Sequence, residues 1–105
     1  MNLRLVLTES AKRDLVDIDA QTIELFGLLQ AERTTEEIEK AFDLLCENPR
    51  IGRLREDLSP KNRKYRIWVV LGRLVIIYEP QPDAIAIVRI VDGKRDLKRL
   101  MERGF

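Results

Sequence analysis

Two basic clusters and a pair of strand-borne arginines are the residues of this chain best suited to chemistry. Seven cations lie between Arg50 and Arg66: Arg50, Arg53, Arg55, Lys61, Arg63, Lys64 and Arg66. Only two acids, Glu56 and Asp57, interrupt them. Lys94, Arg95, Lys98, Arg99 and Arg103 form a second cluster near the end of the chain. Clustered cations raise the local concentration of anions, so the functional reading is a site for phosphate or for an acidic protein. The plain alternative is a solvated loop followed by an ordinary basic helix. Arg66 and Arg89 sit among apolar neighbours. An arginine in such a run either lines an exposed sheet face or pairs with a buried acid. Strand alternation places Arg66, Trp68 and Val70 on one face, and Tyr65, Ile67 and Val69 on the other. Trp68 beside Arg66 is either a stacking surface for a cation or a residue at the rim of the core.

Other chemistry is thinner. The chain has no histidine, which removes Ser-His-Asp and Cys-His catalysis and every His-ligated metal site. Any general acid or base must be Asp, Glu, Tyr or Lys. Cys46 is the one cysteine, so an internal disulfide and a Cys-rich zinc site are excluded, and it reads as a small core residue. Tyr78 ends an apolar run and reads as an aromatic packed at a strand end. Asp14 and Asp17 share a helix face, with Asp19 close by, and are expected to face water rather than a metal. No metal or cofactor is expected.

The elements that must position these residues are marked by periodicity. Leu3–Leu7 suits a short strand. Ala11, Leu15, Ile18, Thr22 and Leu25 recur at spacings of three and four, which predicts a helix over about Ser10–Phe26 with Gly27 as its stop. Ile38, Ala41, Phe42 and Leu45 give a second stripe over about Leu29–Glu47, ended by Asn48-Pro49. Arg50–Arg63 reads as a loop. Lys64–Val70, Leu74–Glu79 and Ala84–Val91 read as three strands of an antiparallel meander. Asp92-Gly93 marks a turn, and Lys94–Arg103 reads as a terminal helix that Asp96 could cap. The expected order is β-α-α-β-β-β-α, an α+β fold with an N-terminal helical hairpin packed on a small, largely antiparallel sheet.

Composition agrees. The chain has 105 residues, 45% hydrophobic and 35% charged, enough for one compact core and too little for two. A single domain over residues 1–105 is expected. The net charge of +1 does not announce a nucleic-acid or membrane binder. The hairpin is acid-rich while both basic clusters follow it, so a polarised molecule is expected. No basic leader precedes an apolar run, and no apolar stretch is long enough to span a bilayer. A cytoplasmic protein without a membrane partner is the expectation.

The residues also resemble a family. Ala11-Lys12-x-Asp14-Leu15-x-Asp17-Ile18, Phe26-Gly27, Asn48-Pro49-Arg50-Ile51-Gly52-Arg53, Tyr65-Arg66, Ile77-Tyr78, Val88-Arg89-Ile90 and Gly93-Lys94-Arg95-Asp96 occur in an order and spacing similar to the ParE branch of the RelE/ParE toxin superfamily. The resemblance covers nearly the whole chain. It implies a toxin that inhibits DNA gyrase by binding it and is neutralised by a ParD-like antitoxin, with nucleic acid reached only through those partners. On that reading Arg66, Trp68, Arg89, Arg95 and Lys98 are the candidate target-binding residues. Leu15, Ile18, Leu25, Phe26 and Leu29 are the candidate antitoxin-binding residues, in or beside a groove between the first helix and the sheet edge; the alternative is that they are core. The rival within the superfamily is the mRNA-cleaving RelE branch. Arg66 matches a basic strand position of that branch and Arg95 its arginine after the last strand, but Trp68 falls where it has a lysine, Val75 where it has an arginine, and Leu100 and Met101 where it has a tyrosine. A third alternative is an inactive member that still binds an antitoxin.

Overall fold

The computed structural model describes residues 3–103. Its strands are β1 (Arg4–Leu7), β2 (Arg53–Leu54), β3 (Arg66–Val70), β4 (Leu74–Pro80) and β5 (Ala84–Asp92). Its α-helices are α1 (Glu9–Phe26), α2 (Leu28–Glu47) and α3 (Leu97–Glu102), and a 3-10 turn covers Glu56–Leu58. The fold is α+β, as expected.

Local chemistry explains the helix bounds. The Thr8 hydroxyl accepts from Ala11 N–H at 3.0 Å and so caps α1. A single residue, Gly27, separates the two helices at φ +91°, where an L side chain is strained. Thr22 and Thr34 are buried, and each hydroxyl donates to the carbonyl one turn back, at 2.6 and 2.9 Å. Asp96 caps α3 through Arg99 N–H, so that helix begins at Leu97 rather than at Lys94.

The five strands form one sheet in the order β1-β5-β4-β3-β2. The meander is antiparallel, with Arg66 opposite Tyr78 and Val75 opposite Val91. Only β1 runs parallel to its neighbour, pairing Arg4–Leu7 with Ala84–Ile87. The expected loop after α2 is partly ordered, as β2 at the sheet edge and the 3-10 turn behind it. Two residues are too few for a period to show. At the β3–β4 connection Leu71 and Gly72 both have positive φ, which suits a tight hairpin.

Each sheet face carries its own core. Ile76, Tyr78, Ile85, Ile87 and Ile90 pack with Ala11, Ile38, Phe42 and Leu45 of the helical hairpin. Val75, Ile77, Val88 and Val91 pack with Leu58 and Tyr65 under Leu97, Leu100 and Met101 of α3. The sheet is therefore covered on both sides, and α3 lies opposite α1 and α2.

Charge follows the same division. Residues 1–47 hold eleven acids and five bases, a net of −6, and residues 48–105 hold seven acids and fourteen bases, a net of +7. The helical hairpin is the acidic side. The basic clusters lie on either side of the 3-10 turn, from Arg50 to Arg55 and from Lys61 to Arg66, and at α3 with the turn before it.

Candidate binding surfaces

Arg89 is placed by a bulge. Ile77 faces Arg89 while Tyr78 faces Ile87, so Val88 is one residue more than β4 can match. Val88 turns into the second core, and its carbonyl accepts from the Thr8 hydroxyl at 2.8 Å. The guanidinium of Arg89 reaches α1 and grips Asp14 bidentately, Nε to Oδ2 at 2.7 Å and Nη2 to Oδ1 at 2.9 Å. Ile90 N–H donates to the same Oδ2 at 2.9 Å. The Asp14 carboxylate thus fills a stretch of β5 edge that β1 does not reach. Only 13% of the Arg89 side chain and 12% of that of Asp14 are exposed. The bond to Asp14 raises the Arg89 pKa further above its ordinary value. One expectation changes: Asp14 is a buried partner and not a solvated surface acid. Of the two readings of Arg89, pairing with a buried acid is the one observed, so it holds α1 to the sheet instead of facing a target.

Arg66 is also engaged. It sits opposite Tyr78 on the hairpin side of the sheet. Its Nη1 donates to the carbonyls of Gly52 at 2.8 Å and Arg50 at 3.3 Å. The Tyr78 hydroxyl accepts from Gly52 N–H and donates to Pro49 C=O, both at 2.8 Å. The segment Pro49–Gly52 is therefore fastened by one arginine and one phenol. Burial pushes the Tyr78 pKa up, which keeps the proton that Pro49 needs. Tyr78→Phe leaves a buried N–H and C=O unpaired and is expected to lower stability by about 1–3 kcal/mol. Urea unfolding should show a lower midpoint with an unchanged slope; an unmoved midpoint would mean the hydroxyl is dispensable.

Trp68 lies on that same face, half-buried at the rim of the first core. With Val69 and Val70 it lines a cleft against Glu37, Lys40, Ala41 and Leu44 of α2, about 210 Å³ in volume. Of its two readings, the rim residue is the one observed.

Lys98 is on the opposite side, while Arg95 stands between the two sides: it also lines a cavity of about 310 Å³ with Asp14, Asp17 and Thr22 of α1 and with Asp92. Lys98 lies close enough to Asp57 to help hold that carboxylate down. The larger cause is Arg55, which bonds Asp57 through Nε and Nη2 at 2.8 and 2.7 Å and brings its pKa to about 2. The five candidate target residues therefore form no single patch. Arg66 and Trp68 face the helical hairpin, Arg89 is inside the seam, and Arg95 and Lys98 flank the α3 side.

The second candidate set divides as well. Leu15 and Ile18 line an apolar groove of about 340 Å³ with Leu5, Leu7, Ile38 and Phe42, between the two helices and β1. Leu25, Phe26 and Leu29 crown the hairpin instead, 61%, 66% and 73% exposed, with Leu28 beside them. An amphipathic helix of a partner suits such a groove.

Catalytic candidates are weak. Burial pushes the Cys46 thiol and the Tyr65 phenol up, away from reactive forms. Among the described residues no three metal-ligating side chains gather. No helix is long and apolar enough to cross a membrane.

The geometry agrees with what the chain resembles. The family model described as the ParE toxin of the type II toxin–antitoxin system parDE matches residues 5–97. The chain belongs to the ParE toxin family. Toxin ParE1 of Mycobacterium tuberculosis is 30% identical over 100 residues, spanning 94% of this chain and 98% of that protein. Toxin ParE3 of Caulobacter vibrioides is 32% identical over 96 residues, 90% of each chain. In fold, a chain of the chromosomal ParDE system from P. aeruginosa is similar with a TM-score of 0.69 at 20% identity, covering 86% of this chain and 95% of that one. As a ParE toxin of a type II toxin–antitoxin system, the chain has a stable frame in which Asp14, Arg89, Tyr78, Gly52 and Arg66 are structural. Its exposed chemistry lies elsewhere, on the hairpin crown and on α3.

Proposed function

We propose that this ParE toxin stops growth by binding DNA gyrase, without catalysis of its own, and that a ParD-type antitoxin neutralises it. Family membership supports the reading. The observation that carries it is the state of the positions at which the RNA-cleaving branch bears a lysine, an arginine and a tyrosine. Val75 is sealed in the second core, Leu100 and Met101 pack against it, and Trp68 is wedged beside α2. A cleaving site needs charges aimed at a phosphate, and these four positions supply none. In this reading Arg95 and Lys98, both exposed, contact the target. Arg66 and Arg89 act at one remove, by positioning the Pro49–Gly52 segment and α1. The antitoxin lays an amphipathic segment along the groove at Leu15 and Ile18 and covers Leu25, Phe26 and Leu29.

The test is a supercoiling assay with purified toxin, gyrase and relaxed plasmid. Wild type is expected to inhibit. Arg95→Ala combined with Lys98→Ala should need at least about tenfold more protein for the same inhibition, the equivalent of about 1.4 kcal/mol. Normal supercoiling together with cleaved mRNA in arrested cells would move the protein to the RNA-cleaving branch. Folded protein that arrests nothing would leave only antitoxin binding.

A further inference from the structure

Three arginines of the α3 side have no role in the frame. Arg95 precedes the cap of α3, Arg99 lies in the helix and Arg103 is its last cap residue. All three line one open cavity of about 320 Å³ together with Asp96 and Leu100. Asp96 is the sole acid in that lining, and its Oδ1 already accepts from Arg99 N–H at 3.1 Å. Among the described residues none of the three guanidinium groups forms an ion pair, whereas Arg55, Arg63 and Arg89 each hold a carboxylate. We propose that Arg95, Arg99 and Arg103 bind consecutive phosphates of duplex DNA. The inference deepens the gyrase reading and rests on it for its biological setting: the duplex is the one the target enzyme holds.

Three observations favour DNA over an acidic protein. The first is spacing. Arg99 and Arg103 are one helical turn apart, about 6 Å along the axis, comparable to the step between phosphates on a strand. The second is the surroundings. Lys98 lies on α3 and Lys94 just before it, and Arg53 of β2 and Lys61 and Lys64 of the segment before β3 stand exposed without an ion pair among the described residues. The third is what the face lacks. A protein interface needs an apolar centre inside its polar rim. The exposed large apolar side chains are Val16, Ile23, Leu25, Phe26, Leu28 and Leu29 on the hairpin, others on β1 and the β3–β4 hairpin, and Ile51. None lies on α3. Among the described residues the exposed apolar surface thus lies mainly on the acidic side, while α3 presents cations without a large exposed apolar anchor, which suits a polyanion.

Phosphate contacts act through counterion release, so the readout is salt dependence. The free toxin, separated from its antitoxin, is titrated against a fluorescein-labelled 30-base-pair duplex by anisotropy at several salt concentrations. No gyrase is present, so failure of this inference and failure of the gyrase reading stay distinguishable. Wild type should bind at 50 mM salt. Arg99→Gln with Arg103→Gln should weaken binding at least tenfold and reduce the log–log salt slope by about 2. Lys12→Gln with Lys40→Gln, on the acidic side, should change neither, and far-UV circular dichroism checks that both variants are folded. Binding of wild type without inhibition of supercoiling supports the inference and sinks only the gyrase reading. No binding at 50 mM salt overturns it. So does an unchanged slope in the α3 variant, or tighter binding to polyglutamate or an A-form RNA duplex than to DNA.

Discussion

Gly52→Ala is expected to unfold most of the margin that holds this toxin together. A Cβ at position 52 would stand 2.5 Å from the Tyr78 hydroxyl oxygen, 2.6 Å from Tyr78 Cε1 and 2.6 Å from the Ile67 carbonyl. All three are closer than a carbon tolerates. Neither neighbour can yield cheaply. Tyr78 is fully buried, and the Ile67 carbonyl belongs to β3, where Ile67 pairs with both Arg53 and Ile77. Overpacking costs about 1–3 kcal/mol, and displacing the Tyr78 hydroxyl strands the Pro49 carbonyl and the residue 52 N–H for a similar further amount. A total of about 2–6 kcal/mol is a large fraction of the roughly 5–15 kcal/mol by which domains are stable. Thermal unfolding followed by circular dichroism should show a midpoint at least about 15 °C lower. Adding Tyr78→Phe removes the hydroxyl clash, one of the three, and leaves those with Cε1 and the Ile67 carbonyl, while both singles break the same hydroxyl bonds, so the pair should lose less than the sum of the singles. A midpoint within a few degrees of wild type would show that the Pro49–Gly52 segment is not fastened as described.

Asp14→Ala is expected to cost about 3–5 kcal/mol, because it leaves the Arg89 guanidinium almost fully buried without a counter-charge and Ile90 N–H without an acceptor. Removing both charges tells the pairing from the packing. Asp14→Leu with Arg89→Met replaces an ion pair by apolar volume and should cost much less than Asp14→Ala alone. Amide exchange adds a local reading: the Ile90 N–H should lose protection in Asp14→Ala more than its strand neighbours do. If Asp14→Ala and the double variant fall equally, the carboxylate is not what secures α1 to β5.

These two sites also show where sequence reading succeeds and stops. The helical hairpin was readable nearly to the residue, because an apolar stripe and a following Gly or Asn-Pro are local signals. The three meander strands were readable for the same reason. The parallel pairing of β1 with β5 leaves no local mark, and neither does a two-residue strand such as β2. Strand alternation correctly put Trp68 opposite Ile67, yet could not say which face α2 would cover. An arginine at position 89 among Val and Ile announced that it either faces out or holds a buried acid. The acid proved to be Asp14, which helix periodicity assigns to the surface, because periodicity carries no knowledge of a bulge aiming a guanidinium at it. The Tyr78 hydroxyl and Gly52 stand 26 positions apart, and nothing in either neighbourhood advertises the bond between them. The row Arg95, Arg99 and Arg103 was visible as charge alone; its common cavity was not.

The first strand and its partner are separated by about eighty positions, as the Thr8 bond to Val88 records. During synthesis the hairpin can coil from neighbouring residues, but β1 must wait for nearly the entire chain before it has anything to pair with, and Asp14 must wait equally long for Arg89. Long-range pairings of this kind close late. The acidic hairpin with its apolar crown is therefore complete before the basic α3 side, which follows it in the chain. If the two surfaces serve the partners proposed above, the one for the antitoxin is displayed before the one for gyrase exists.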